Sequence, residues 1–151
     1  MRYTQEQTRE IVGLSVETLR HWRHVVTYLR PKTGKAARYT FSDLISLSVV
    51  REVTNAGVPI SGIVGGLDEL FKLLSKTFWQ NLRGKFIALS HNSAVIVSES
   101  NWHEVAEKGV TIIISCDIVL VRLQDELYPV IEIPSQRMLP FPPKAVKGNR
   151  Q

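Results

Sequence analysis

Four side chains in one short stretch, Arg20, His21, Arg23 and His24, bring cationic charge and ring N–H donors close together. Residues three and four apart are neighbours on a helix, so Arg20, His21 and His24 would share one face. A second basic group follows, with Arg30, Lys32, Lys35 and Arg38 between Tyr28 and Tyr39. Guanidinium and ammonium groups make charge-assisted hydrogen bonds to anionic oxygens. Two readings stand at this level: a surface that holds a polyanion, or the solvated face of an ordinary helix. Basic charge alone favours any polyanion.

Other chemistry has little to build on. His91, His103 and Glu104 are scattered, and no His-x-x-x-His spacing exists to hold a metal. Ser90 and Ser93 have no base arranged beside them in sequence. Cys116 is the one cysteine and lies in the apolar run Thr111 to Cys116, where a packed core thiol is expected. No catalytic residue, metal or cofactor is therefore expected, and an enzyme is the least favoured class. Trp79 and Trp102 fit core or interface packing better than a ligand pocket. No run of eighteen apolar residues occurs, and the polar start of the chain lacks the apolar core of a signal peptide. The expectation is a cytoplasmic protein without a membrane span.

Charge divides unevenly along the 151 residues. Residues 1–76 hold 11 Lys/Arg against 7 Asp/Glu, a net +4. Residues 77–133 hold 4 against 7, a net −3, and residues 134–151 hold 4 against none. An acidic middle between basic ends points to separate roles.

The elements that would position these residues can be read from caps and periodicity. Thr4 and Gln7 form a capping-box pattern for a helix over Gln5 to Val12, ended by Gly13. Ser15 caps a second helix from Val16 to about Val26, so two short helices meet at a tight turn. Pro31 and Gly34 within Tyr28 to Tyr39 suggest a two-stranded wing with a polar tip. Thr40 caps a third helix, Phe41 to about Asn55, and Ser61 a fourth. The adjacent Gly65 and Gly66 cost a helix about 2 kcal/mol relative to alanine. A separate amphipathic helix is therefore expected over Leu67 to Arg83, with the stripe Leu67, Leu70, Leu74, Phe78 and Leu82. Strands follow at Lys85 to Leu89, Ala94 to Val97 and Val110 to Ser115, with a short helix from Asn101 to Lys108. Ile118 to Leu123 reads as a β-branched run, although Leu120 to Leu127 also fits a helix. Val130 to Ile133 reads as a last strand, and the proline-rich basic tail as flexible.

The ordered series Tyr3-Thr4, Gly13 to Trp22, Pro31, Arg38-Tyr39, Asp43-Leu44 and Gly57 to Ile60 resembles the MerR family of winged-helix regulators. The resemblance covers roughly residues 3–74. Trp22-Arg23 stands where many relatives have Tyr-Glu, and Val26 or Thr27 replaces the usual glycine before the wing. The family's long dimerisation helix and metal-binding cysteines are absent. The resemblance implies that Thr18 and His21 lie at the DNA major groove and that Arg20 and Arg38 hold phosphates. Arg30, Lys32 and Lys35 would straddle the neighbouring backbone.

The expected fold class is α+β, with four segments. These are a winged helix-turn-helix domain at 1–66, a linker or dimerisation helix at 67–83, a small α+β domain at 84–133 and a basic tail at 134–151. The expected DNA-binding set is Thr4, Ser15, Thr18, Arg20, His21, Arg23, His24, Arg30, Lys32, Lys35, Arg38 and Tyr39. Leu67, Leu70, Leu74, Phe78 and Leu82 face either the chain's own C-terminal domain or, slightly preferred, a second subunit. The function implied is a sequence-specific regulator of transcription that binds double-stranded DNA as a homodimer, with a small-molecule or protein effector at its C-terminal domain left open. Alternatives are a phage- or plasmid-type accessory factor with an architectural role, or an adaptor whose winged helix docks on protein.

Overall fold

The computed structural model describes residues 1–106 and 109–128. The expected strand Val130 to Ile133, the basic tail and the end of the helix expected at Asn101 to Lys108 lie outside the described residues. The chain begins with strand β1 (Arg2–Tyr3), followed by helices α1 (Gln5–Val12) and α2 (Val16–Val25). Strand β2 (Tyr39–Thr40) leads into α3 (Phe41–Asn55), and α4 (Val64–Ser75) follows. The second half holds β3 (Phe86–Leu89), β4 (Ala94–Val97), α5 (Trp102–Ala106), β5 (Ile112–Ser115) and α6 (Cys116–Leu127).

The first three helices start where their caps require. The Thr4 hydroxyl accepts from the Gln7 N–H at 3.1 Å, and the Gln7 side chain accepts from the Thr4 N–H at 2.9 Å. Gly13 closes α1 in the left-handed region, φ 86°, and donates its N–H to the Arg9 carbonyl at 2.8 Å. The Ser15 hydroxyl accepts from the Thr18 N–H at 3.1 Å and starts α2. Thr40 and Asp43 make the second capping box at the start of α3.

Two expectations fail in the segments between. Residues 28–38 form no two-stranded wing. A 3₁₀ turn at Thr27–Leu29 opens a compact loop, and the strand at its end, β2, pairs antiparallel with β1 instead. Pro31 and Gly34 bend the chain as expected, but β1 supplies the strand partner that a ribbon would have needed. The fourth helix is also displaced. Ser61 lies in a 3₁₀ turn at Ile60–Gly62, and α4 begins after Ile63 with no side-chain cap. It includes both glycines and stops at Ser75, so Phe78 and Leu82 fall outside it, Leu82 in a 3₁₀ turn at Trp79–Leu82.

The glycine pair is explained by what it touches. A Cβ on Gly66 would overlap the Ser90 carbonyl oxygen, and one on Gly65 would lie 3.0 Å from the His91 carbonyl oxygen. The Gly66 N–H donates to that His91 carbonyl at 2.9 Å. The first turn of α4 thus lies directly against the turn between β3 and β4, and the helix-propensity cost is offset by close packing.

β3, β4 and β5 form an antiparallel sheet in the order β4-β3-β5. The run Ile118 to Leu123 is helical, as the alternative reading allowed. Ser115 caps α6, whose buried Cys116, Val119 and Leu123 recur at helical spacing and pack against α1 and α3. Arg122 pairs with Glu52 across that contact. One cluster of buried apolar residues runs from Val12 to Leu123 through both halves of the chain.

This core also corrects the preferred reading of the leucine stripe. Leu67, Leu70, Leu74 and Leu82 are all at most 1% exposed within a single copy, so they offer no face to a second subunit. Phe78 alone of the five is open to solvent, at 78%.

Two outcomes follow from this packing. Gly66→Ala should lose about 1–3 kcal/mol to overpacking, outweighing the roughly 1 kcal/mol that alanine gains in a helix. Gly62→Ala, where a Cβ meets nothing within 4 Å, should stay within about 0.5 kcal/mol. Urea unfolding distinguishes them, and equal stabilities would contradict the close approach. Burial, with a smaller contribution from Asp117, pushes the Cys116 thiol up to about 11. The native thiol should therefore resist alkylation at pH 8 until the chain is unfolded. Because the unfolded thiol ionises first, stability should fall as pH rises from about 9 to 11. Cys116→Ala should remove the thiol's share of that fall and leave the share that the raised Tyr28 and Tyr39 hydroxyls contribute, as read by denaturation at a series of pH values.

Candidate nucleic-acid interface

α1, the turn at Gly13–Leu14 and α2 place a short helix on the surface with one side packed and the other open. Leu19 and Trp22 are buried against the body. Glu17, Arg20, His21 and His24 are exposed, at the spacing that puts them on one face. Thr18 is half-buried beside them, its Oγ1 accepting from the Ser15 hydroxyl at 2.9 Å.

The loop after α2 is held from three directions. The Tyr28 N–H donates to Asp68 of α4 at 2.9 Å, and the Tyr28 ring stacks on Phe71 with centroids 5.2 Å apart. Arg30 Nε donates to the His24 carbonyl at 3.1 Å, closing the end of α2. Lys32 reaches inward, donating to the Arg38 carbonyl at 2.9 Å and pairing with the buried Asp43 carboxylate at 3.4 Å. Arg38 Nη1 donates to the carbonyls of Lys35 and Ala37, both at 2.9 Å. Lys35 and Arg38 themselves remain exposed. An open, largely basic helix face thus adjoins a loop whose backbone is fixed by its own side chains.

Residues 3–70 match the model of the MerR HTH family of regulatory proteins. This part of the chain is a MerR-like helix-turn-helix domain. No curated protein matches the chain.

Within the MerR-like domain, the expected site residues separate into two groups. Arg20, His21, His24, Arg30, Lys35 and Arg38 are exposed on α2 and the loop that follows it. Except for Thr18, half-buried beside that face, the others make contacts within the domain. Thr4 and Ser15 cap helices through their hydroxyls. Arg23 turns back to donate to Gln5 Oε1 at 3.0 Å, joining α2 to α1. Tyr39 is wholly buried, with the Lys32 ammonium 5.5 Å from its ring centroid. Its hydroxyl is held above its ordinary pKa by burial, while the neighbouring Arg23 pulls the other way. Tyr39 therefore cannot touch DNA with its ring, because the ring is packed into the buried core.

Asp43 and Asp68 are the supporting residues that sequence patterns left without a role at the interface. Asp43 had a visible signal, the Thr40-x-x-Asp43 cap, but its pairing with Lys32 had none. Asp68 meets Tyr28 across forty positions of chain, beyond the reach of any local pattern. Burial, with Asp43 next, also raises the Tyr28 hydroxyl. Among the described residues, no group of three or more His, Cys, Asp or Glu is placed to hold a metal ion. No helix among them is long and apolar enough to cross a membrane.

Separating scaffold from surface gives a stability test. Asp43→Ala removes a buried acceptor and a helix cap, and should cost about 1–3 kcal/mol. Arg20→Ala, on the open face, should change stability by less than about 0.5 kcal/mol. Denaturant midpoints measure both, and an Arg20 loss as large as that of Asp43 would contradict the division.

Proposed function

We propose that the chain is a DNA-binding regulator of transcription that reads double-stranded DNA with α2. The observation that carries this reading is the solvent-facing set Glu17, Arg20, His21 and His24 on the second helix of a helix-turn-helix domain. An α-helix fits the major groove, where arginine and histidine donate to guanine acceptors and a carboxylate accepts from cytosine N4. Lys35 and Arg38, with Arg30 at the end of α2, are proposed to hold the flanking phosphates and set the register of the helix. Thr18 sits close enough to the open face to share in base contact.

The burial of Leu67, Leu70, Leu74 and Leu82 within one copy supports placing the proposed homodimer contact on another surface. Half-sites with two-fold symmetry are the signature that such a dimer leaves in its target.

Selection of duplexes from a random pool tests the proposal. The wild-type chain should enrich a defined motif, and Arg20→Ala/Arg38→Ala should bind it at least about tenfold more weakly. Removing a phosphate-binding cation should also lower the salt dependence of binding by about one ion. Enrichment of no motif, with binding set by salt alone, would overturn sequence-specific regulation and favour an architectural DNA-binding role.

A further inference from the structure

A groove of about 780 Å³ lies between the N-terminal strand, the start of α3 and helix α6. Tyr3, Phe41, Trp79, Leu120, Val121 and Tyr128 give it an apolar, mostly aromatic wall. Its size falls within the roughly 300–1,000 Å³ typical of small-molecule sites. The Trp79 ring is fixed on two sides yet remains 37% exposed. Phe41 meets it edge-on with centroids 6.1 Å apart, and the Arg83 guanidinium lies 5.5 Å from its centroid.

Among the described residues the groove contains two charged side chains, Arg83 and Asp117, and they are unequally committed. Asp117 accepts the Gly84 N–H at 3.0 Å and sits in the first turn of α6, where the helix dipole favours an anion. Arg83 has no carboxylate within ion-pair distance among the described residues. It is exposed, and its contact with the Trp79 face leaves its planar fork of N–H donors to be met by a carboxylate.

We propose that this groove binds a small planar aromatic acid, with its ring against the aromatic wall and its carboxylate on Arg83. Four aromatic side chains select for a flat apolar body. The uncommitted cation selects for an anionic group over a neutral or cationic one. The proposal stands independently of DNA recognition, since it uses none of the exposed residues of α2 or the loop that follows it.

The test uses 2-naphthoate as probe and 2-naphthylmethanol as its neutral counterpart, titrated into the full chain by calorimetry. The acid should bind saturably with one site per chain, and the alcohol at least about tenfold more weakly, as expected when a charge-assisted hydrogen bond is missing. Arg83→Gln should bring the acid down to the level of the alcohol and leave the alcohol unchanged. Val121→Trp fills the groove from an exposed position and should abolish both, with an unaltered thermal transition showing that the fold persists. No saturable binding of the acid, equal affinity for acid and alcohol, or full binding by Val121→Trp in the folded state would each overturn the assignment.

Discussion

Over its middle two turns, helix α3 is buried around its whole circumference, and that constraint organises the rest of the chain. Every residue from Asp43 to Val50 is buried, as is Val53. A stretch of helix with no solvent face needs neighbours on all sides, and α1, β2, α4 and α6 provide them. The last of these comes from the far end of the described chain, so the helix-turn-helix core is completed by the C-terminal half. Asp43 could enter such a place only with its donors. The Thr40 N–H, at 3.0 Å, and the Lys32 ammonium accompany it. The same carboxylate therefore begins the central helix and anchors the loop beside α2.

Recognition by a surface helix depends on a fixed angle of presentation, because a misplacement of about an ångström spoils hydrogen bonds to base edges. Here the fixing runs through a chain of contacts. The turn between β3 and β4 meets the glycines at the start of α4, and Asp68 and Phe71 on α4 hold Tyr28 just after α2. Arg23 ties α2 back to α1 through Gln5. The second half of the molecule thus supports α2 without lying in its exposed face.

Local chemistry was legible in the sequence wherever one residue type determines one hydrogen bond. The caps at Thr4, Ser15 and Thr40 set the starts of three helices, and Gly13 set an end. The order of motifs from Tyr3 to Ile60 led to the family that residues 3–70 match. What could not be read was the identity of a neighbour. Periodicity showed that Leu67, Leu70 and Leu74 share a face, but their partner is the chain's own core, which no local pattern names. Gly65 and Gly66 looked like a break because propensity counts only backbone cost, whereas here their missing side chains make room for the Ser90 and His91 carbonyls. Arg23 belongs to the same basic cluster in the sequence, yet its position on α2 turns it inward to Gln5. The β-branched start of α6 shows the same limit, since Ile118 and Val119 suit a strand until a cap at Ser115 and a packed stripe favour a helix.

The most direct test of the central claim is a backbone amide shift map of the labelled chain titrated with a short duplex recovered by selection. The largest shifts should cluster at residues 15–24 and 30–38, with β3 to β5 and α6 nearly silent. Shifts concentrated on the sheet or α6, with α2 unchanged, would show that DNA is held elsewhere and would contradict the account.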